Sequence, residues 1–98
     1  DYQRLYEFCQ EKNYRLCIVL PFISADEWMN RHLLNLKQEL EARFSEKAFL
    51  LDVQPAIGLD AGARKRAYLD GVHPLAGIYT AIGAYAAPKL QAWVQEQA

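Results

Sequence analysis

An aspartate and a histidine stand three positions apart near the C-terminal end of the chain, in the segment Asp70-Gly71-Val72-His73-Pro74. Gly71 allows backbone conformations that other residues avoid, and Pro74 suits the first position of a helix. The Asp70 carboxylate is therefore expected to accept a hydrogen bond from one imidazole nitrogen of His73, with the other nitrogen facing a cleft. A histidine that a carboxylate orients is the usual general base of serine and cysteine hydrolases.

The same segment also has a purely structural interpretation. Asp-Gly is a common turn pair, so that Asp70 would bond to nearby amides and His73 would lie exposed before a helix. Spacing alone favours this turn, because a single Asp-x-x-His is a weak motif. The choice between base and turn therefore depends on the elements that hold the segment.

Apolar spacing predicts helices and strands in alternation along the chain. A helix is expected over residues 2–12 and a strand over residues 16–22. A second strand is expected over 48–53, a short helical turn over 63–69 and a last helix over 75–95. Both strands are apolar throughout, which is typical of a parallel sheet covered by helices on both faces.

The helix between the two strands is expected to run to about Phe44. Ser24 and Glu27 have the spacing of a capping box, in which the serine is the N-cap. A strand–helix–strand unit of this length normally has parallel strands and a right-handed crossover. In the last helix, Pro88 is expected to cause a kink or a break, because it has no N–H and its ring crowds the preceding turn.

The segment YLDGVHP at residues 68–74, followed by Gly77 and an alanine-rich helix, resembles the last conserved block of the SGNH (GDSL-type) hydrolases. The upstream order agrees: LCIVLPF (16–22) resembles the penultimate strand of that family, and AFLLDVQPA (48–56) resembles the last strand. The resemblance covers most of the chain, but only DGVHP is specific. It implies an α/β fold, a flavodoxin-like three-layer α/β/α sandwich with a parallel sheet, of which residues 1–98 form the C-terminal βαβα part of a single domain.

This resemblance implies a serine esterase or acylhydrolase of carboxylic esters, in which Asp70 and His73 belong to the catalytic triad. The family's nucleophilic serine and its oxyanion-hole residues lie in N-terminal blocks that have no counterpart here, since Ser24 and Ser45 match no family motif. The resemblance implies no cofactor and no metal. The expected partners are the N-terminal half of the domain or another chain, and the expected substrate is a small ester, a lipid or an acylated carbohydrate.

A second hypothesis needs no catalysis. Two strands do not make a stable sheet that is covered on both faces, and each would leave an open edge that can pair with another strand. On this hypothesis the chain is an α/β interaction module that associates through its sheet edges. DGVHP then serves only as a turn and a helix cap.

Composition argues against several other classes of function. The net charge is −1, so no overall positive charge favours nucleic acid or an anionic membrane. The longest apolar run is too short to span a bilayer. Cys9 and Cys17 are expected to be small buried residues, and residues 64–66 a solvated basic turn. Trp28, Tyr79 and Trp93 fall near helical positions that are expected to pack in the core.

Overall fold

The computed structural model describes residues 1–57, 61–68 and 73–96. Its helices and strands lie where the apolar spacing predicts them. The elements in chain order are α1 (Tyr2–Glu11), β1 (Cys17–Val19), α2 (Glu27–Phe44), β2 (Phe49–Leu51), a 3-10 turn (Gln54–Ala56), α3 (Ala61–Ala67) and α4 (Ala76–Gln95). Within the described ranges, no helix has the length and apolar character needed to cross a membrane.

The two strands form a parallel pair in which Ile18 lies opposite Leu50 and Val19 opposite Leu51. Helix α2 connects them, so the predicted strand–helix–strand unit with parallel strands is confirmed and the chain is of the α/β type. Each strand has three residues, fewer than the apolar runs suggest. The pairing of β1 with β2 extends to Leu20, whose N–H donates to the Leu51 carbonyl at 2.8 Å.

One apolar cluster joins the sheet to α1 and α2. Ile18 and Leu20 pack with Leu40 and Phe44 of α2, and Tyr6 of α1 lies against them. Phe44 is almost completely buried, and the Tyr6 ring meets it edge-on at 6.1 Å. Burial of these side chains fixes both helices on the side of the sheet to which even-numbered strand residues point.

A second apolar cluster joins the sheet to α4. Leu51 and Val53 pack with Ala86, and Ile82 and Leu90 lie against them. The members from the strand region have odd numbers, and successive strand side chains point to opposite faces. Helix α4 therefore contacts β2 from the side opposite α2.

The N-cap of α2 is Asp26, and the expectation that Ser24 is the N-cap is wrong. The Asp26 carboxylate accepts the N–H groups of Trp28 at 3.0 Å and Met29 at 3.1 Å. Ser24 lies two residues earlier, where its hydroxyl oxygen accepts the Asp26 N–H at 3.0 Å and its hydroxyl donates to Asn30 at 3.1 Å. Aspartate and serine are equally good N-cap residues. Asp26 takes this role because it directly precedes Glu27, the first residue of α2.

Helix α4 continues through Pro88, so the expected break is not found. Pro88 is exposed, while Ala86 and Leu90 on either side of it pack in the α4 cluster. At the end of α4, the Arg15 guanidinium donates to the carbonyl oxygens of Trp93 at 2.7 Å and Val94 at 3.2 Å. These contacts satisfy carbonyls that a helix C-terminus leaves without partners.

Candidate functional site

The loops that follow β1 and β2 are joined at the carboxyl end of the parallel pair. The backbone N–H of Ile23, four residues after β1, donates to the side-chain carbonyl of Gln54 at 2.7 Å. Gln54 follows β2 and is buried. This end of a parallel sheet is where ligand sites of α/β proteins gather.

The segment that carries His73 is attached to these loops. The Tyr68 hydroxyl donates to the Ile23 carbonyl oxygen at 2.8 Å. Tyr68 also forms an isolated antiparallel bridge with Pro74, and the Leu75 N–H donates to the Ala67 carbonyl at 2.8 Å. His73, directly before Pro74, is exposed. Its backbone is therefore placed at the carboxyl end of the strands, just before α4.

Asp70 lies outside the described residues, and so do Gly71 and Val72. The predicted pairing of Asp70 with His73 therefore stays a prediction. The described residues show that the segment between Tyr68 and Pro74 is held at both ends by the bridge between these two residues.

Arg64 of α3 is buried, with 8 % of its surface exposed. Its guanidinium donates to the Ser24 carbonyl at 2.9 Å and forms an ion pair with Glu27 at 2.9 Å. The expectation of a solvated turn over residues 64–66 is wrong for Arg64, although Lys65 and Arg66 are exposed. Arg64 lies in α3, and the buried Tyr68 directly follows that helix.

Ser24 is buried and bonded within its own loop. Its N–H and its hydroxyl both donate to the Asn30 side-chain oxygen, at 2.7 and 3.1 Å, and the Asn30 amide donates back to the Ser24 carbonyl at 2.9 Å. These bonds satisfy polar groups that would be costly to bury alone. Ser24 therefore has the surroundings of a structural residue and not of a nucleophile.

Tyr68 has an environment that keeps its hydroxyl protonated. It packs in an apolar cluster with Ile57 and Ala67, and Ile78 of α4 lies against them. Burial raises the pKa of the Tyr68 phenol, and the neighbouring Arg64 charge opposes this shift only in part. The protonated phenol donates its hydrogen bond to the Ile23 carbonyl.

The carboxylate of Asp52 fixes the backbone just after β2. It accepts a hydrogen bond from the Gln54 N–H at 2.9 Å and from the Lys37 ammonium at 2.9 Å. Burial acts to raise the pKa of Asp52, but the Gln54 amide and the Lys37 charge outweigh it and hold the pKa below its ordinary value. These bonds help to place the Gln54 side chain that accepts from Ile23.

Two aromatic residues expected in the core are instead exposed. Trp28, in the first turn of α2, has 69 % of its surface exposed and meets the His32 ring edge-on at 4.9 Å. Tyr79 of α4 is also exposed. Helical spacing alone predicted them wrongly, because the helices are covered only where a strand or another helix lies against them.

Among the described residues, no group of three or more histidine, cysteine, aspartate and glutamate side chains is arranged to hold a metal ion. Sequence reasoning singled out His73 but assigned no role to Gln54, to Asn30 or to the Tyr68 hydroxyl. A polar residue shortly after each apolar run was the available signal. Comparison of the chain with family models, curated proteins and solved structures finds no significant match.

Proposed function

We propose that the chain is part of an SGNH-type ester hydrolase and contributes Asp70 and His73 to the catalytic triad. The observation that carries the proposal is the placement of His73. Its neighbour Pro74 is bridged to Tyr68, which is hydrogen-bonded to the loop after β1 at the carboxyl end of a parallel strand pair. A general base at this end of the sheet faces the region in which α/β proteins bind ligands.

In the proposed reaction a serine outside these residues attacks the carbonyl carbon of a carboxylic ester. His73 takes the proton from the serine hydroxyl and then gives it to the alcohol as the ester C–O bond breaks. Asp70 holds the imidazole in the required tautomer and stabilises the imidazolium. Water then hydrolyses the acyl-enzyme, with His73 again as the base.

The proposed architecture is a three-layer α/β/α sandwich. Two observations support it: even-numbered strand residues pack against α1 and α2, and odd-numbered residues pack against α4. A two-stranded sheet between such layers is small for independent stability. On the proposal, further parallel strands complete the sheet.

The open edge of β1 is the proposed position of the next strand. Helix α1 leads into β1 and contacts the same cluster as α2. Crossovers between parallel strands are right-handed, so consecutive helices on one face connect strands that are added in one direction. A strand that leads into α1 would therefore lie beside β1, opposite β2. Val19 of β1 is 51 % exposed, whereas its partner Leu51 on β2 is 2 % exposed. This difference fits a β1 side chain that a further part of the domain would cover.

The test is hydrolysis of a p-nitrophenyl ester by the chain joined to the N-terminal half that supplies the serine. His73→Ala is expected to lower kcat by several orders of magnitude, because members of a triad act as a unit. The matched control is His32→Ala, since His32 is the only other histidine and is exposed on α2. Equal activity of the His73→Ala variant and the parent protein would refute the proposal.

A second candidate function is a non-catalytic module that associates through sheet edges. The exposure of Val19 on a strand edge that no other described segment pairs with favours it, because such an edge accepts a further strand whether or not the domain is an enzyme. On this alternative, the protein does not use His73 to cleave an ester. The His73→Ala experiment therefore separates the two functions.

A further inference from the structure

Two side chains from the α3 region attach to consecutive carbonyl groups of the loop after β1. Arg64 donates to the Ser24 carbonyl at 2.9 Å, and the Tyr68 hydroxyl donates to the Ile23 carbonyl at 2.8 Å. Arg64 lies in α3 and Tyr68 directly follows that helix, and both residues are buried. They form a two-point attachment between α3 and the loop.

The loop itself is held from two further directions. The Ile23 N–H donates to Gln54 after β2, and Asn30 at the start of α2 bonds to the N–H, the hydroxyl and the carbonyl of Ser24. The carbonyl groups of Ile23 and Ser24 therefore have fixed positions relative to both strands. Fixed acceptors make the attachment of α3 geometrically specific.

A short stretch of backbone connects this attachment to His73. Tyr68 is bridged to Pro74, and the Ala67 carbonyl accepts the Leu75 N–H at 2.8 Å. His73 is covalently joined to Pro74. A shift of Tyr68 away from Ile23 would therefore displace the backbone of His73 directly.

We infer that Arg64 and Tyr68 are positioning residues, which set the location of the His73 imidazole without touching substrate. The catalytic meaning of this role rests on the proposed function, but the positioning itself does not. Loss of either attachment is expected to move His73 while the two apolar clusters of the sheet remain intact. Such displacements are costly in catalysis, since a misplacement of about 1 Å can lower a rate about a hundredfold.

The test uses the chain labelled with ¹³C-histidine and carrying Tyr68→Phe, which removes only the hydroxyl. The ring signals of His73 are expected to shift and broaden, and those of His32 to stay unchanged. Exchange of the Leu75 amide is expected to become about three- to tenfold faster, the effect of losing one net hydrogen bond. Tyr14→Phe is the matched control, because Tyr14 is exposed and lies before β1.

Unchanged His73 signals and unchanged Leu75 exchange in a folded Tyr68→Phe variant would overturn the inference. If that variant does not fold, Arg64→Met decides by the same two readouts, because it removes the guanidinium that donates to the Ser24 carbonyl and to Glu27. In the complete hydrolase, Tyr68→Phe is expected to lower kcat about ten- to a hundredfold with little change in KM. Shifted His73 signals without any ester cleavage would retain the positioning role and refute only the proposed function.

Discussion

At the scale of single residues, Asp52 links α2 to the turn after β2. Its folded-state pKa lies below the ordinary value, so it stabilises the fold above about pH 4, and this contribution is lost as the pH falls through the lowered pKa. Between about pH 5 and pH 3, the free energy of unfolding is therefore expected to fall less in the Asp52→Asn variant than in the parent chain. The difference should be small, because the Asp52 side chain is 42 % exposed and solvent screens the pair.

Urea unfolding at a series of pH values measures this effect. Lys37→Met is the companion variant, because it removes the ammonium at 2.9 Å and leaves the Gln54 amide in place. It should lose part of the same pH dependence. Identical pH profiles for the Asp52→Asn variant and the parent chain would contradict the assignment.

At the scale of elements, α4 contains a proline that the surrounding packing tolerates. Pro88 is exposed, has no N–H and crowds the carbonyl four residues earlier, while Ala86 and Leu90 hold the helix against β2. Pro88→Ala is expected to raise the free energy of unfolding by about 1 to 3 kcal/mol, measured by urea denaturation. Ala87→Gly, at the neighbouring exposed position, should lower it by about 1 kcal/mol. A less stable Pro88→Ala variant would mean that the proline shapes α4 to fit the sheet.

At the scale of the whole molecule, the chain is less compact than a typical domain of its length. Its radius of gyration is 14.9 Å, against about 13 Å for a compact domain of about 100 residues. The β1 edge is open within the described residues, and Val19 beside it is exposed. We therefore expect the chain by itself to associate with increasing concentration in sedimentation velocity experiments.

Val19→Lys should weaken this association, because lysine on an edge strand opposes strand pairing. Val94→Lys is the matched control, since Val94 has a similar exposure but lies in the last turn of α4 and not on a strand. A monomeric, stably folded chain at all concentrations would contradict both the expected association and the need for further strands.

Local sequence patterns predict the order of the elements and the parallel strand pair, and they show an aspartate three positions before a histidine. Apolar periodicity and run length carry this information, because they decide which local segments can bury a face. His73 was singled out by a local motif in the seven-residue segment 68–74.

The residues that hold that segment are identified by the packing of distant parts of the chain. The carbonyl groups of Ile23 and Ser24 accept from Tyr68 and Arg64, which are 45 and 40 positions away in the chain. No local pattern encodes such contacts, since a backbone carbonyl carries no residue-specific signal and its partner depends on how α3 packs. The burial of Arg64 and the exposure of Trp28 have the same origin, because accessible surface is set by what lies opposite a helix and not by the residue's own spacing.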